Sequence, residues 1–238
     1  MNHPLPSSDH PISPDGPRRP TLLVFDVNET LSDMAPLAAR FEDVGAPAHL
    51  AKTWFAELLR DGFALTVSGA NESFAALGAE ALRVRLQGQP LSRPLDEAVE
   101  HVMQGFSSLG VHPDVPDGIR ALSDLGIRLV TLSNGSATVA DTLLQGAGLR
   151  DRFERLLSVE DAGVWKPAVG AYAYGLAECG VEPLDAMLVA MHPWDIDGAR
   201  RADLATAWVN RSGARYPAYF TAPDLEVASL TELADELR

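Results

Sequence analysis

The chain has 238 residues, 46% hydrophobic and 22% charged, with a formal net charge of −14. That length can bury one sizeable core, or one core with an insert, and the negative balance argues against a nucleic-acid or anionic-membrane partner. No apolar run is long enough to span a bilayer, and the single cysteine, Cys179, excludes an intramolecular disulfide and suits a reducing cytoplasm.

Residues 1–20, MNHPLPSSDHPISPDGPRRP, lack the apolar stretch of a secretory signal, and their Pro, Ser and Asp content predicts a disordered tail. TLLVFD (21–26) is a short continuous apolar run, the pattern of a strand buried on both faces. Residues 36–108 then read almost wholly as helix. Amphipathic segments at 36–45, 48–69, 71–88 and 93–110 are separated by Gly and Pro, with no strand evident among them. After Pro113 the pattern changes to a helix (116–125), a strand (IRLVTLSN, 127–134), a helix (136–148) and a strand (RLLS, 155–158). A helix (169–180), a strand (185–191), a helix (194–203), a strand (ATAWVN, 205–210) and a C-terminal helix (230–238) follow.

Strands alternating with helices predict an α/β fold built on an open, mostly parallel sheet. In such sheets ligands sit beyond the carboxyl ends of the strands, so the residues just after each strand matter most. They are Asp26, Ser133 and Asn134, Lys166 after a loop, and His192, Trp194 and Asp195. The helical block at 36–108 follows the first strand, where an insertion would form a lid over that edge. On its own Asp26 reads either as a turn or N-cap aspartate or as a nucleophile.

Four stretches carry a resemblance. Asp26-Val27-Asn28-Glu29-Thr30-Leu31 resembles the first motif of the haloacid dehalogenase superfamily, Ser133-Asn134-Gly135 the second, Lys166-Pro167 the third, and HPWDIDGA (192–199) the fourth. The resemblance implies a Rossmann-like core (21–35 and 109–238), an inserted helical cap (36–108), and a site between them. Phosphatases of the superfamily carry a general-acid Asp where this chain has Asn28, and an acidic magnesium ligand early in the fourth motif, where it reads Ala190, Met191, His192, Pro193. The pattern instead resembles the metal-free 2-haloacid dehalogenases, in which Trp-Asp followed by Gly-Ala is typical of the fourth motif.

That likeness implies a metal-independent hydrolase without cofactor, acting on short 2-haloalkanoates, small anionic substrates, with inversion at C2. A homodimer is compatible with it, since family members are often dimers. Asp26 would attack carbon and expel halide, a leaving group that needs no proton, so Asn28 costs nothing; the product is an ester on Asp26, hydrolysed in a second step. Lys166 would keep Asp26 ionised, and Thr30 would orient it. Ser133 and the Asn134 amide would bind the substrate carboxylate, and Asp195 would position or deprotonate the hydrolytic water. Tyr172, His192 and Trp194 would support or line the site.

Plainer readings stand beside these: Asp195 as a helix N-cap, His192 as a hydrogen-bonded neighbour rather than a base, Tyr172 and Trp194 as core. The dehalogenases usually carry an aromatic residue and Gly at the positions of Asn28 and Glu29, and Asn at that of His192. Their halide-gripping cap arginine follows a tryptophan, but here Trp54 is followed by Phe55. Arg60, on the same predicted helix, is the nearest substitute, against its plain reading as a solvated arginine. Hydrolysis of another small ester or phosphate, or an inactive small-acid binder, are the competing functions.

Overall fold

Leu22–Phe25 forms β1, and all four of its side chains are buried. Alternate residues of a strand face opposite sides, and here Leu22 and Val24 enter one apolar cluster while Leu23 and Phe25 enter another. β1 is therefore a central strand covered on both faces. The computed structural model describes residues 19–238. The tail expected over residues 1–20 lies, but for Arg19 and Pro20, outside them.

After β1 come α1 (Leu37–Asp43), α2 (Leu50–Val67), α3 (Phe74–Leu86) and α4 (Leu95–Ser107), with no named strand among them. Then follow α5 (Val115–Asp124), β2 (Arg128–Ser133), α6 (Ala137–Gly146), β3 (Arg155–Ser158) and α7 (Val159–Ala162). α8 (Val169–Cys179), β4 (Ala186–Ala190), α9 (Pro193–Arg201), β5 (Ala205–Val209), β6 (Leu225–Val227) and α10 (Leu230–Glu236) complete the chain. The six strands are all parallel, in the order β3-β2-β1-β4-β5-β6. This is the order of a doubly wound Rossmann-type sheet. Phe25 lies opposite Thr131 of β2 on one side and Val189 of β4 on the other, so β1, β2 and β4 end side by side.

The helices of the insertion hold together around Trp54, which is fully buried. Its ring lies 6.2 Å from Phe41 of α1 and 6.0 Å from Phe106 of α4, and its Nε1 donates to the Gly78 carbonyl of α3 at 2.9 Å. The apolar cluster that covers one face of the sheet runs on without a break into this insertion. Trp165 makes the direct link. It stacks on Phe74 at 5.9 Å, and its backbone N–H donates to Thr66 Oγ1 and its Nε1 to the Glu72 carbonyl. A Cβ at Gly62 would lie 2.5 Å from the Trp165 ring, so glycine is what lets α2 approach so closely.

Boundaries differ from the sequence reading where a cap sets them. The segment expected to be helical from 71 begins at Phe74, because the Ser73 side chain accepts from Ala76 N and ends the non-helical approach. β6 and α7 were not foreseen: three and four residues are too few to show a period. No helix among the described residues is long and apolar enough to cross a membrane.

Candidate active site

Asp26, the first residue after β1, is buried, and both of its carboxylate oxygens have partners. Lys166 Nζ donates to Oδ1 at 3.0 Å, and Thr30 Oγ1 donates to Oδ2 at 2.6 Å. The Thr30 hydroxyl also accepts from Met191 N at 3.0 Å, which leaves its proton directed at Asp26. His192 Nδ1 lies 3.3 Å from the same Oδ2. Burial works against charge on Asp26, but Lys166, His192 and Thr30 outweigh it and hold the carboxyl well below the usual range.

The same ammonium reaches a second carboxylate. Lys166 Nζ donates to Asp195 Oδ2 at 2.7 Å, with the lysine side chain at 0% exposure. A fully buried ammonium is tolerated only with such partners; burial opposes its charge, yet Asp195 and Asp26 together leave it raised. Asp195 is raised too, first by burial and then by the nearby charge of Asp26, against the pull of Lys166. Its Oδ1 accepts from Tyr172 OH at 2.6 Å. Burial and Asp195 push the Tyr172 phenol upward, so it stays a donor. A Cβ at Gly198 would lie 2.5 Å from that hydroxyl, so α9 can meet Tyr172 only with glycine there. Asp195 is not the N-cap of α9: His192 is the cap residue, with Pro193 in the first turn, and the Asp195 side chain turns instead to Lys166.

His192 is held between two carboxylates. Its Nε2 lies 2.9 Å from Glu29 Oε2, and its ring stacks on Trp194 at 5.0 Å and lies 6.3 Å from Phe55. Burial disfavours its charge, but the bonds to Asp26 and Glu29 prevail and lift it to about 9. It is an imidazolium at neutral pH. Glu29 has φ 61°, the left-handed region, which is uncommon outside glycine. Its carbonyl meets His112 Nε2 at 2.9 Å, and its N–H donates to Ser32 Oγ. Sequence reasoning noted Glu29 only as a departure, because nothing in the sequence signals that its carboxylate reaches a residue 163 positions away.

Two expectations change. The Asn134 side chain, expected to bind a substrate carboxylate, is already engaged at both ends: Oδ1 accepts from Lys166 N at 2.9 Å and Nδ2 donates to the Lys166 carbonyl at 3.1 Å. It clamps both backbone polar groups of Lys166, which is joined to Pro167 by a cis peptide. Arg60 does not come to the site. Its side chain is 66% exposed on α2 and is paired with Asp61 at 2.8 Å, because its helical position points to water while Phe55 faces inward. Ser133 Oγ accepts from Gly135 N at 2.9 Å. Asn28 is buried near Gly135. Among the described residues no group of three or more His, Cys, Asp or Glu side chains is placed to hold a metal ion.

The arrangement offers an ionised, oriented carboxylate and a second carboxylate of higher basicity across a shared ammonium. The haloacid dehalogenase-like hydrolase family matches residues 20–203. The chain is 29% identical over 216 residues to an (S)-2-haloacid dehalogenase of Pseudomonas sp. (strain YL), covering 90% of this chain and 92% of that one. It is 27% identical over 207 residues to haloacetate dehalogenase H-2 of Moraxella sp. (strain B), covering 86% and 92%. Among solved structures it resembles the L-2-haloacid dehalogenase of Xanthobacter autotrophicus, with TM-score 0.82, 25% identity, and 92% and 98% of the two chains covered. A dehalogenase solved with an intermediate complex gives TM-score 0.85, 26% identity, and 92% and 97% coverage.

Proposed function

The chain belongs to the haloacid dehalogenase-like hydrolase family, and from that premise we propose that it converts short (S)-2-haloalkanoates to 2-hydroxy acids through an ester on Asp26, without a metal. The observation that carries the reading is the pair of carboxylates sharing one buried ammonium, 3.0 Å from Asp26 and 2.7 Å from Asp195. In the first step an Asp26 oxygen attacks C2 from the side opposite the halogen. The C–X electron pair leaves with the halide, C2 inverts, and Asp26 becomes a neutral ester. The Ser133 hydroxyl, at the end of β2, holds the substrate carboxylate, and the helices of residues 36–108 act as the cap that keeps water from competing at C2.

Esterification removes one of the two anions facing Lys166, so the ammonium then belongs to Asp195. In the second step Asp195 takes a proton from water, hydroxide adds to the Asp26 carbonyl carbon, and the tetrahedral adduct expels the alkoxide. The alkoxide takes the proton back from Asp195, and the regenerated Asp26 acid loses its own to solvent. His192, as an imidazolium beside Asp26, and Thr30 keep the nucleophile ionised for the first step.

Single turnover in ¹⁸O-water tests the reading. The hydroxy acid should leave with unlabelled oxygen and the label should remain on the peptide containing Asp26. Label appearing first in the product would mean direct attack by water. Halide release from 2-chloropropanoate, run beside phosphate release from an aryl phosphate with and without Mg²⁺, separates dehalogenation from phosphate hydrolysis.

A further inference from the structure

Hydrolysis of an Asp26 ester passes through a tetrahedral adduct whose negative charge gathers on the former carbonyl oxygen. Which oxygen that is follows from how the carboxylate is held. Oδ1 accepts from Lys166 Nζ at 3.0 Å. Oδ2 faces two donors, Thr30 Oγ1 at 2.6 Å and His192 Nδ1 at 3.3 Å. A carboxylate oxygen has two lone-pair directions, so Oδ1 keeps one open for C2 while both of Oδ2 are taken. Oδ1 therefore becomes the ester oxygen and Oδ2 the carbonyl oxygen. Both donors to Oδ2 are braced from behind. The Thr30 hydroxyl accepts from Met191 N at 3.0 Å. His192 Nε2 lies 2.9 Å from Glu29 Oε2, and the ring stacks on Trp194. With a carboxylate oxygen at each ring nitrogen, both nitrogens donate, and Nδ1 presents its proton to Oδ2. His192 and Glu29 both stand at positions where the chain departs from the usual dehalogenase residues, so this brace belongs to the chain itself.

We propose that His192 is a catalytic residue of the second step: its Nδ1–H and the Thr30 hydroxyl form the hole that receives the oxyanion at Oδ2. The inference rests on the ester reading above and supplies the stabilising groups for its second half. As hydroxide adds to the carbonyl carbon, the C=O π pair moves onto Oδ2. As the adduct collapses, that pair re-forms C=O, the bond from carbon to Oδ1 breaks, and its electrons leave with the alkoxide, which takes its proton from Asp195. His192 keeps its own proton throughout. The ester carbonyl is neutral and the adduct is charged, so an imidazolium beside Oδ2 stabilises the adduct more than the ester, the condition for speeding that step. Lys166, bonded to Oδ1, faces the oxygen that departs. Glu29 is a positioning residue, acting through the ring that it holds.

Rapid-quench kinetics with (S)-2-bromopropanoate separate the two steps, bromide reporting ester formation and 2-hydroxypropanoate its hydrolysis. His192→Phe keeps a ring beside Trp194 but has no donor and no charge. It should release a burst of about one bromide per active site and then turn over slowly, because the ester accumulates. Steady turnover should fall about 100- to 1000-fold, the usual cost of an oxyanion donor. Mass spectrometry of the quenched variant should find a carboxyethyl group on the peptide containing Asp26. His192→Asn places a neutral N–H where Nδ1 was and should recover about tenfold of that loss, with the adduct still detectable. The burst itself counts folded sites, so a variant that merely misfolds gives neither burst nor adduct. Bromide release slowed as much as hydrolysis, no adduct in either variant, His192→Asn no faster than His192→Phe, or His192→Phe turning over like the wild type each overturns the role given to His192. Those outcomes leave the ester reading standing, whereas a wild type that frees no halide from any 2-halo acid sinks the ester chemistry and this proposal together.

Discussion

His192 Nε2 stands 2.9 Å from Glu29 Oε2, and the residue that supplies this carboxylate is held at φ 61°. A left-handed non-glycine residue costs of order 1–3 kcal/mol. The strain is localised where a carboxylate is needed opposite the imidazolium that touches the nucleophile.

Glu29→Gly separates the two effects. It relieves the backbone and removes an anion from His192. Strain relief and the lost ion pair oppose each other, so thermal unfolding should shift little. The His192 imidazolium should become easier to deprotonate, and the alkaline limb of kcat/KM should move to lower pH. An unmoved limb would take the Glu29–His192 pair out of the reaction.

The wild-type pH dependence of stability follows from His192 itself. Its pKa is raised from 6.5 to about 9 by Asp26 and Glu29, against burial. The folded state binds the proton more tightly than the unfolded chain, so this contribution is complete below about 6.5 and is lost as pH rises through about 9. Its size is a few kcal/mol, at ~1.4 kcal/mol per unit. Urea midpoints measured from pH 6 to 9.5 should fall for the wild type, and His192→Phe, which keeps a ring beside Trp194, should flatten that slope.

Lys166→Met leaves Asp26 and Asp195 buried without their shared ammonium. Breaking a buried ion pair from one side costs about 3–5 kcal/mol. The loss should be largest at neutral pH and smaller in acid, because Asp195, left buried with no cation beside it, takes up a proton more readily folded than unfolded. Chemical denaturation at pH 7 and pH 5 reads this difference directly. Equal destabilisation at both would mean the lysine acts by packing alone.

For Asn134→Ala the two roles proposed for this residue part company. The lysine peptide would lose bonds to both its N–H and its carbonyl, at about 2–4 kcal/mol. A displaced ammonium should lower kcat while KM changes little. A large rise in KM with kcat preserved would instead restore Asn134 as a substrate ligand.

What the sequence made legible was the edge of the sheet. Asp26, Ser133, Asn134, His192 and Asp195 were all legible as residues just past a strand, since parallel strands buried on both faces are conspicuous apolar runs. Lys166 was legible the same way, as a residue beyond a strand and a loop, although α7 lies between β3 and it. Partnership was far less legible. That Asn134 bonds a backbone 32 residues on, or that Glu29 reaches His192, depends on loop conformations that no periodicity records. Arg60 and Phe55 show the same limit: a helix can be read from sequence, but which of its side chains is carried inward is settled by packing on Trp54 and the sheet.

Trp165 gives the lysine a mechanical neighbour as well as an electrostatic one. It directly precedes Lys166 in the chain, and both hydrogen bonds that it donates and its stacked face go to the insertion, to Thr66, Glu72 and Phe74. An outward swing of those helices large enough to admit a substrate must either break these contacts or drag the lysine's peptide with it. In the second case the ammonium would be drawn away from Asp26 and Asp195. The two-residue stretch that carries the ammonium is thus anchored from two sides, by the insertion at Trp165 and by Asn134 at Lys166.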